Sequence, residues 1–93
     1  MTFEEFRSRM AKGDPSDLSG ELRALFLDGC GDWDGAHETC QELPGEGPRI
    51  HAYLHRKEGD IPNADYWYRR AGEVRPAHTL DDEWEDLVRR YLG

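Results

Sequence analysis

Residues 22–43, LRALFLDGCGDWDGAHETCQEL, and residues 50–71, IHAYLHRKEGDIPNADYWYRRA, decide the fold because the second stretch repeats the first. Ala24 falls on Ala52, Phe26 on Leu54, Gly31-Asp32 on Gly59-Asp60 and Ala36 on Ala64, each pair 28 positions apart. A fixed offset that preserves small residues and a Gly-Asp turn marks a repeated supersecondary unit. Within each stretch the apolar residues recur at intervals of three and four, the period of a helix with one buried stripe. Each unit therefore reads as two antiparallel helices joined by a tight turn, with alanines at the crossing so that the backbones can approach closely.

Working outward, Thr2 can cap a first helix over residues 3–12, closed by Gly13-Asp14-Pro15. Asp17 or Ser19 starts a second helix with Leu18, Leu22, Leu25, Phe26 and Leu27 on its stripe, and Trp33–Leu43 forms the third with Trp33, Ala36, Cys40 and Leu43 inward. Pro44-Gly45-Glu46-Gly47-Pro48 reads as the linker between units. Helix four is expected from about Arg49 to Glu58 and helix five from Pro62 to about Gly72, where a proline in the first turn sacrifices no hydrogen bond. Thr79 or Asp81 begins a last helix carrying Leu80, Trp84, Leu87, Val88 and Tyr91 on one face, with acids at its start and Arg89-Arg90 at its end. The first and last helices are expected to cover the ends of the stack, giving one all-α domain over residues 1–93.

The spacing of Gly59-Asp60, Ala64, Tyr68, Ala71 and Pro76 resembles the closing half of a tetratricopeptide repeat, and Gly31, Ala36, Cys40, Leu43 and Pro48 occupy the same slots in the first unit. The resemblance implies two short tetratricopeptide-like helical hairpins flanked by N- and C-terminal helices, with the 28-residue offset calling for shorter helices than that family's 34-residue repeat. The strings at 31–37 and 51–72 also resemble a group of small uncharacterised bacterial helical proteins, a likeness that transfers no catalytic residue.

The chain carries 12 Lys and Arg against 20 Asp and Glu, a net charge of −8, which argues against generic binding to nucleic acid or an anionic membrane. Ten Phe, Trp and Tyr residues supply the apolar area to fold it. Two cysteines, Cys30 and Cys40, are too few for a secreted disulfide framework, and no signal-like or membrane-spanning apolar run is present, so reduced thiols and a cytoplasmic setting are the expectation. The segment 48–76 is the exception to the acidity, with six basic residues against four acidic ones.

Candidate binding residues concentrate there: Arg49, His51, Tyr53, His55, Arg56 and Lys57 precede the first acid, Glu58. In a tetratricopeptide-like stack the first helix of each hairpin lines the groove, which implies a basic, aromatic surface for a protein or peptide partner with acidic groups. Tyr66, Trp67 and Arg70 are rim candidates, since three adjacent aromatics on one helix cannot all face one core. Reversing Arg56 and Lys57 to Glu is then expected to abolish capture while leaving helicity unchanged. A homodimer through residual apolar surface is a further expectation for so short a stack.

An alternative reading is a metal-binding protein or a small metal-dependent enzyme that uses His51 and His55. His51 and His55, four apart on one helical face, can share a divalent ion such as zinc, and His37 with Cys40 on the adjoining helix can complete four ligands. His78 has no evident partner. Nucleophilic catalysis finds little support, because Ser8, Ser16 and Ser19 lie in cap-like contexts and no phosphate-binding glycine loop is present.

Overall fold

The computed structural model describes residues 1–93 as six α-helices with no strand. They are α1 (Phe3–Lys12), α2 (Gly20–Gly29), α3 (Trp33–Gln41), α4 (Gly47–Glu58), α5 (Ile61–Arg70) and α6 (Leu80–Leu92). Local chemistry sets the starts. Thr2 and Glu5 form a reciprocal capping box on α1, and the side chains of Ser19, Asp32 and Thr79 accept the N–H groups of Leu22, Gly35 and Asp82. Three boundaries differ by two residues from the sequence expectation, α5 ending at Arg70 rather than at about Gly72. α3 stops at Gln41, two residues early, and α4 begins at Gly47, so Pro48 lies in its first turn and the linker is shorter than the proline spacing suggests.

The repeat extends to individual hydrogen bonds. Asp32 N–H donates to the Leu27 carbonyl at 2.8 Å and Asp60 N–H to the His55 carbonyl at 3.0 Å, while the preceding Gly31 and Gly59 hold φ of 89° and 90°. Only glycine takes that left-handed turn without strain. α2 packs on α3 and α4 on α5, and α3 against α4 joins the two pairs. Ala24, Ala36, Ala52 and Ala64 are all fully buried, as close helix crossings require. An Ala52→Leu variant is therefore expected to lose about 1–3 kcal/mol through overpacking, read from the urea midpoint; an unchanged midpoint would show that the crossing has room.

The main core runs through Phe6, Leu25, Phe26, Ile50, Leu54, Leu87 and Val88, so it draws on α1, α2, α4 and α6 together. Here the last helix departs from expectation. α6 does not cap one end of the stack but lies across α2 and α4, in contact with α1 as well. Its Trp84 donates its indole N–H to the Leu25 carbonyl at 3.0 Å and sits edge-on to Phe3, with Phe6 also beside it. Of the 66–68 aromatics, Tyr68 reaches α6, its hydroxyl donating to Glu83. No helix is long and apolar enough to cross a membrane.

Candidate metal centre

α4 is buried on two faces with different chemistry, and each holds part of the sequence-derived site. The face turned to α6 and α2 carries Arg49, Tyr53, Arg56 and Lys57. α6 covers most of this face, which the groove reading leaves open: Arg49 and Tyr53 are only 5% and 2% exposed, while Lys57 at its end stays exposed. Each polar group there is engaged within the chain. Glu83, fully buried on α6, accepts from Arg56 Nη1 at 2.7 Å and from the Tyr68 hydroxyl at 2.5 Å. Arg49 Nη1 lies 2.9 Å from the same carboxylate but without hydrogen-bond alignment, so their attraction is ionic, while Arg49 Nε donates to Glu73 at 2.9 Å. Arg90 also donates to Glu73, and this pairing, led by the Arg90 hydrogen bond, holds the Glu73 carboxyl below its ordinary range. Toward α2, buried Asp28 accepts from the Tyr53 hydroxyl at 2.8 Å and from Lys57 Nζ at 2.9 Å. The α4 cations thus fasten α2 and α6 to α4.

The other face of α4 carries His51 and His55, one turn apart, and meets His37 on α3. Candidate ligand atoms of the three imidazoles lie within 4.8 Å of one another. His37 Nε2 and His51 Nε2 are 2.9 Å apart, so one must donate and the other accept. The aromatic neighbours hold the rings in place. His51 lies stacked between Trp67 at 4.3 Å and His55 at 5.4 Å, and His37 stacks on Trp33 at 4.9 Å. Trp33 is itself fixed, its indole N–H donating to the Leu54 carbonyl at 2.9 Å.

Burial makes these good ligands. Loss of hydration, followed by repulsion from the neighbouring imidazoles, pushes the His51 pKa down to about 4 and lowers that of His37, so near pH 7 both are neutral, each with one unprotonated ring nitrogen. His55 Nδ1 lies 2.5 Å from the Glu58 carboxylate. A carboxylate behind a ligating histidine fixes its tautomer and strengthens the other nitrogen as a donor, which leaves Nε2 for an ion. A tetrahedral zinc with bonds of about 2.0–2.1 Å needs ligand nitrogens roughly 3.3 Å apart; the His37 and His51 rings would part by a few tenths of an ångström to admit it. Three imidazoles are a donor set of the kind zinc takes, and His55, whose ligand atom is within 4.8 Å of the other two, would have to close in on them to complete the site.

Cys40 is not one of the converging groups. Its thiol points back to the His37 carbonyl at 3.3 Å, and its residue is 1% exposed in the core slot that Tyr68 fills in the second unit. Burial pushes its pKa up to about 12, which disfavours the thiolate a metal needs. A fourfold His37, Cys40, His51, His55 set is replaced by three histidines. In native protein a disulfide reagent is expected to label exposed Cys30 promptly and buried Cys40 only on denaturation; rapid labelling of both thiols would contradict this packing.

The centre faces a cleft of about 740 Å³, with Trp67, Asn63 and Arg70 from α5 and Gln41 from α3 among its lining residues. Of the expected binding residues, His51, His55, Trp67 and Arg70 meet in this cleft. Tyr66 is 44% exposed beside it, its hydroxyl accepting from Arg70 at 3.0 Å. His78 stands apart near Asp86, at 3.6 Å. The residue sequence reasoning missed is Glu83, although an acid inside the Leu80, Trp84, Leu87 stripe is a readable sign of a buried partner. Asn63 and Gln41 carried no such sign. Comparison of the chain with protein-family models, curated proteins and solved structures returns no match.

Proposed function

We propose that this chain binds a divalent transition-metal ion, with His37, His51 and His55 as its protein ligands and zinc as the ion that best suits them. The observation that carries the reading is the convergence of three imidazoles from two helices within 4.8 Å. Two of them are kept neutral by burial, and imidazole nitrogen is a good donor to zinc. The repeat scaffold itself needs no imidazoles at these positions, as the first unit illustrates with part-buried Arg23 and Leu27 where the second has His51 and His55.

The test is equilibrium dialysis of tag-free protein against zinc. One ion per chain is expected in the parent, stoichiometric binding is lost in His51→Ala, and affinity falls about 10–100-fold in Glu58→Gln. Absence of stoichiometric zinc from the folded parent would overturn the reading.

Docking of a protein or peptide with acidic groups is a second reading, favoured by the exposed Tyr66 ring with the Arg70 guanidinium 5.8 Å from its centre. Reversing Arg56 and Lys57 would break their contacts with Glu83 and Asp28. Arg70→Glu is therefore the cleaner variant, with lost capture of an acidic peptide supporting this reading and unchanged capture removing it.

A further inference from the structure

We infer that the metal-loaded centre takes a small oxyanion, a carboxylate or a phosphate group, as its exogenous ligand, with Arg70 as the anion's second contact. This rests on the metal reading above and adds the chemistry of the open coordination position. Three protein ligands leave a tetrahedral ion one position short, and the cleft beside the histidines is the space into which that position can open. Neutral imidazoles contribute no negative charge, so a bound divalent ion, offset by the Glu58 carboxylate behind His55, keeps a net positive charge for whatever occupies the fourth place.

The lining supports an anion independently of the metal. Not one of the 11 residues around the cleft is acidic, in a chain with 20 Asp and Glu among 93 residues. Excluding carboxylates from one concave surface of so acidic a protein leaves it electrostatically receptive to an anion. Arg70 supplies the cation. Its guanidinium is positioned by the Tyr66 hydroxyl at 3.0 Å and lies 5.3 Å from the centre of the Trp67 ring, the same ring that stacks on His51. Only its contact with Tyr66 uses a guanidinium N–H among the side-chain hydrogen bonds, so other donors stay available for two parallel bonds to an oxyanion. Gln41 from α3 and Asn63 from α5, whose amide N–H donates to Asp60 at 3.3 Å, also line the cleft.

Cobalt(II) offers a visible spectrum that reports its own ligands. The cobalt-loaded chain is titrated with acetate and, separately, with inorganic phosphate, alongside Arg70→Gln and Arg69→Gln. Arg69 is an exposed neighbour on α5 that does not line the cleft. A saturable spectral change with either anion is expected, weakened about tenfold or more in Arg70→Gln, the scale of one charged hydrogen bond, and unaltered in Arg69→Gln. Response to acetate, phosphate or both identifies which oxyanion the site accepts. Bound cobalt whose spectrum ignores both anions, or responds equally in all three proteins, would overturn the anion site while leaving the metal reading standing. A chain that takes up no cobalt and no zinc would overturn both.

Discussion

Replacing Glu83 with alanine is expected to lower the unfolding free energy by about 3–5 kcal/mol, the cost of removing one partner from a buried ion pair. The fully buried Glu83 carboxylate receives Arg56, Arg49 and the Tyr68 hydroxyl. Without it, Arg49 keeps Glu73, but Arg56 retains only the His78 carbonyl as a partner. Two guanidinium groups under α6 then lack their shared counter-charge, and the Tyr68 hydroxyl loses its acceptor. Glu83→Gln preserves the volume and an acceptor oxygen but not the charge, so an intermediate loss is expected. Urea denaturation beside Asp86→Ala, an exposed control on α6, measures the effect. Equal midpoints for the Glu83 and Asp86 variants would show that α6 is held by apolar packing alone.

The second large effect is a loss of stability in acid that originates in the histidine cluster of the metal-free protein. His51 takes up its proton near pH 6.5 when unfolded and near 4 when folded, chiefly because burial disfavours the charged form. Between those values the unfolded chain binds more protons, so stability rises with pH. The contribution of His51 is fully present above about pH 6.5 and is lost as the pH falls toward 4. At about 1.4 kcal/mol per pKa unit, the loss is of the order of 3 kcal/mol, and His37, shifted the same way, adds to it. Neutralising the acidic surface changes stability over the same range, so the informative quantity is the difference between parent and His51→Gln. With chelator present, the parent is expected to lose more stability than the variant between pH 7.5 and 4.5; parallel losses would contradict the buried, neutral state of His51.

Much of this was legible in the sequence because it is locally encoded. The caps at Thr2, Ser19 and Thr79, the left-handed turn at Gly59 and the buried alanines follow from rules that act within a few residues. The direction of α6 is not such a feature. Its stripe shows which residues are inward but not which surface receives them, and the choice depends on Glu83 meeting Arg49 and Arg56 far away in the chain. For the same reason Arg49, Tyr53, Arg56 and Lys57 read as a ligand groove, although their counter-charges are Asp28, Glu73 and Glu83 of the same molecule.

The difference between the repeats is the more instructive sign. At the 28-residue offset Asp28 corresponds to Arg56: the acid of the first unit reaches forward to α4, and the base of the second reaches forward to α6. Arg23 and Leu27 correspond to His51 and His55, and that exchange creates the imidazole cluster. Helical spacing identified His51 and His55 as a pair and proximity suggested His37. Cys40 looked equivalent at three residues' remove, but three residues stop about 60° short of a full helical turn, enough to carry its thiol into the core.

The metal centre is tested most directly by the imidazole nitrogen resonances of the four histidines, recorded by long-range proton–nitrogen correlation with and without one equivalent of zinc. Coordination predicts that His37, His51 and His55 move together to metal-bound shifts, with His55 bound through Nε2 and its Nδ1 still protonated toward Glu58, while His78 stays unchanged. Zinc that leaves all three cluster histidines unperturbed, or moves only His78, would contradict a metal site on α3 and α4.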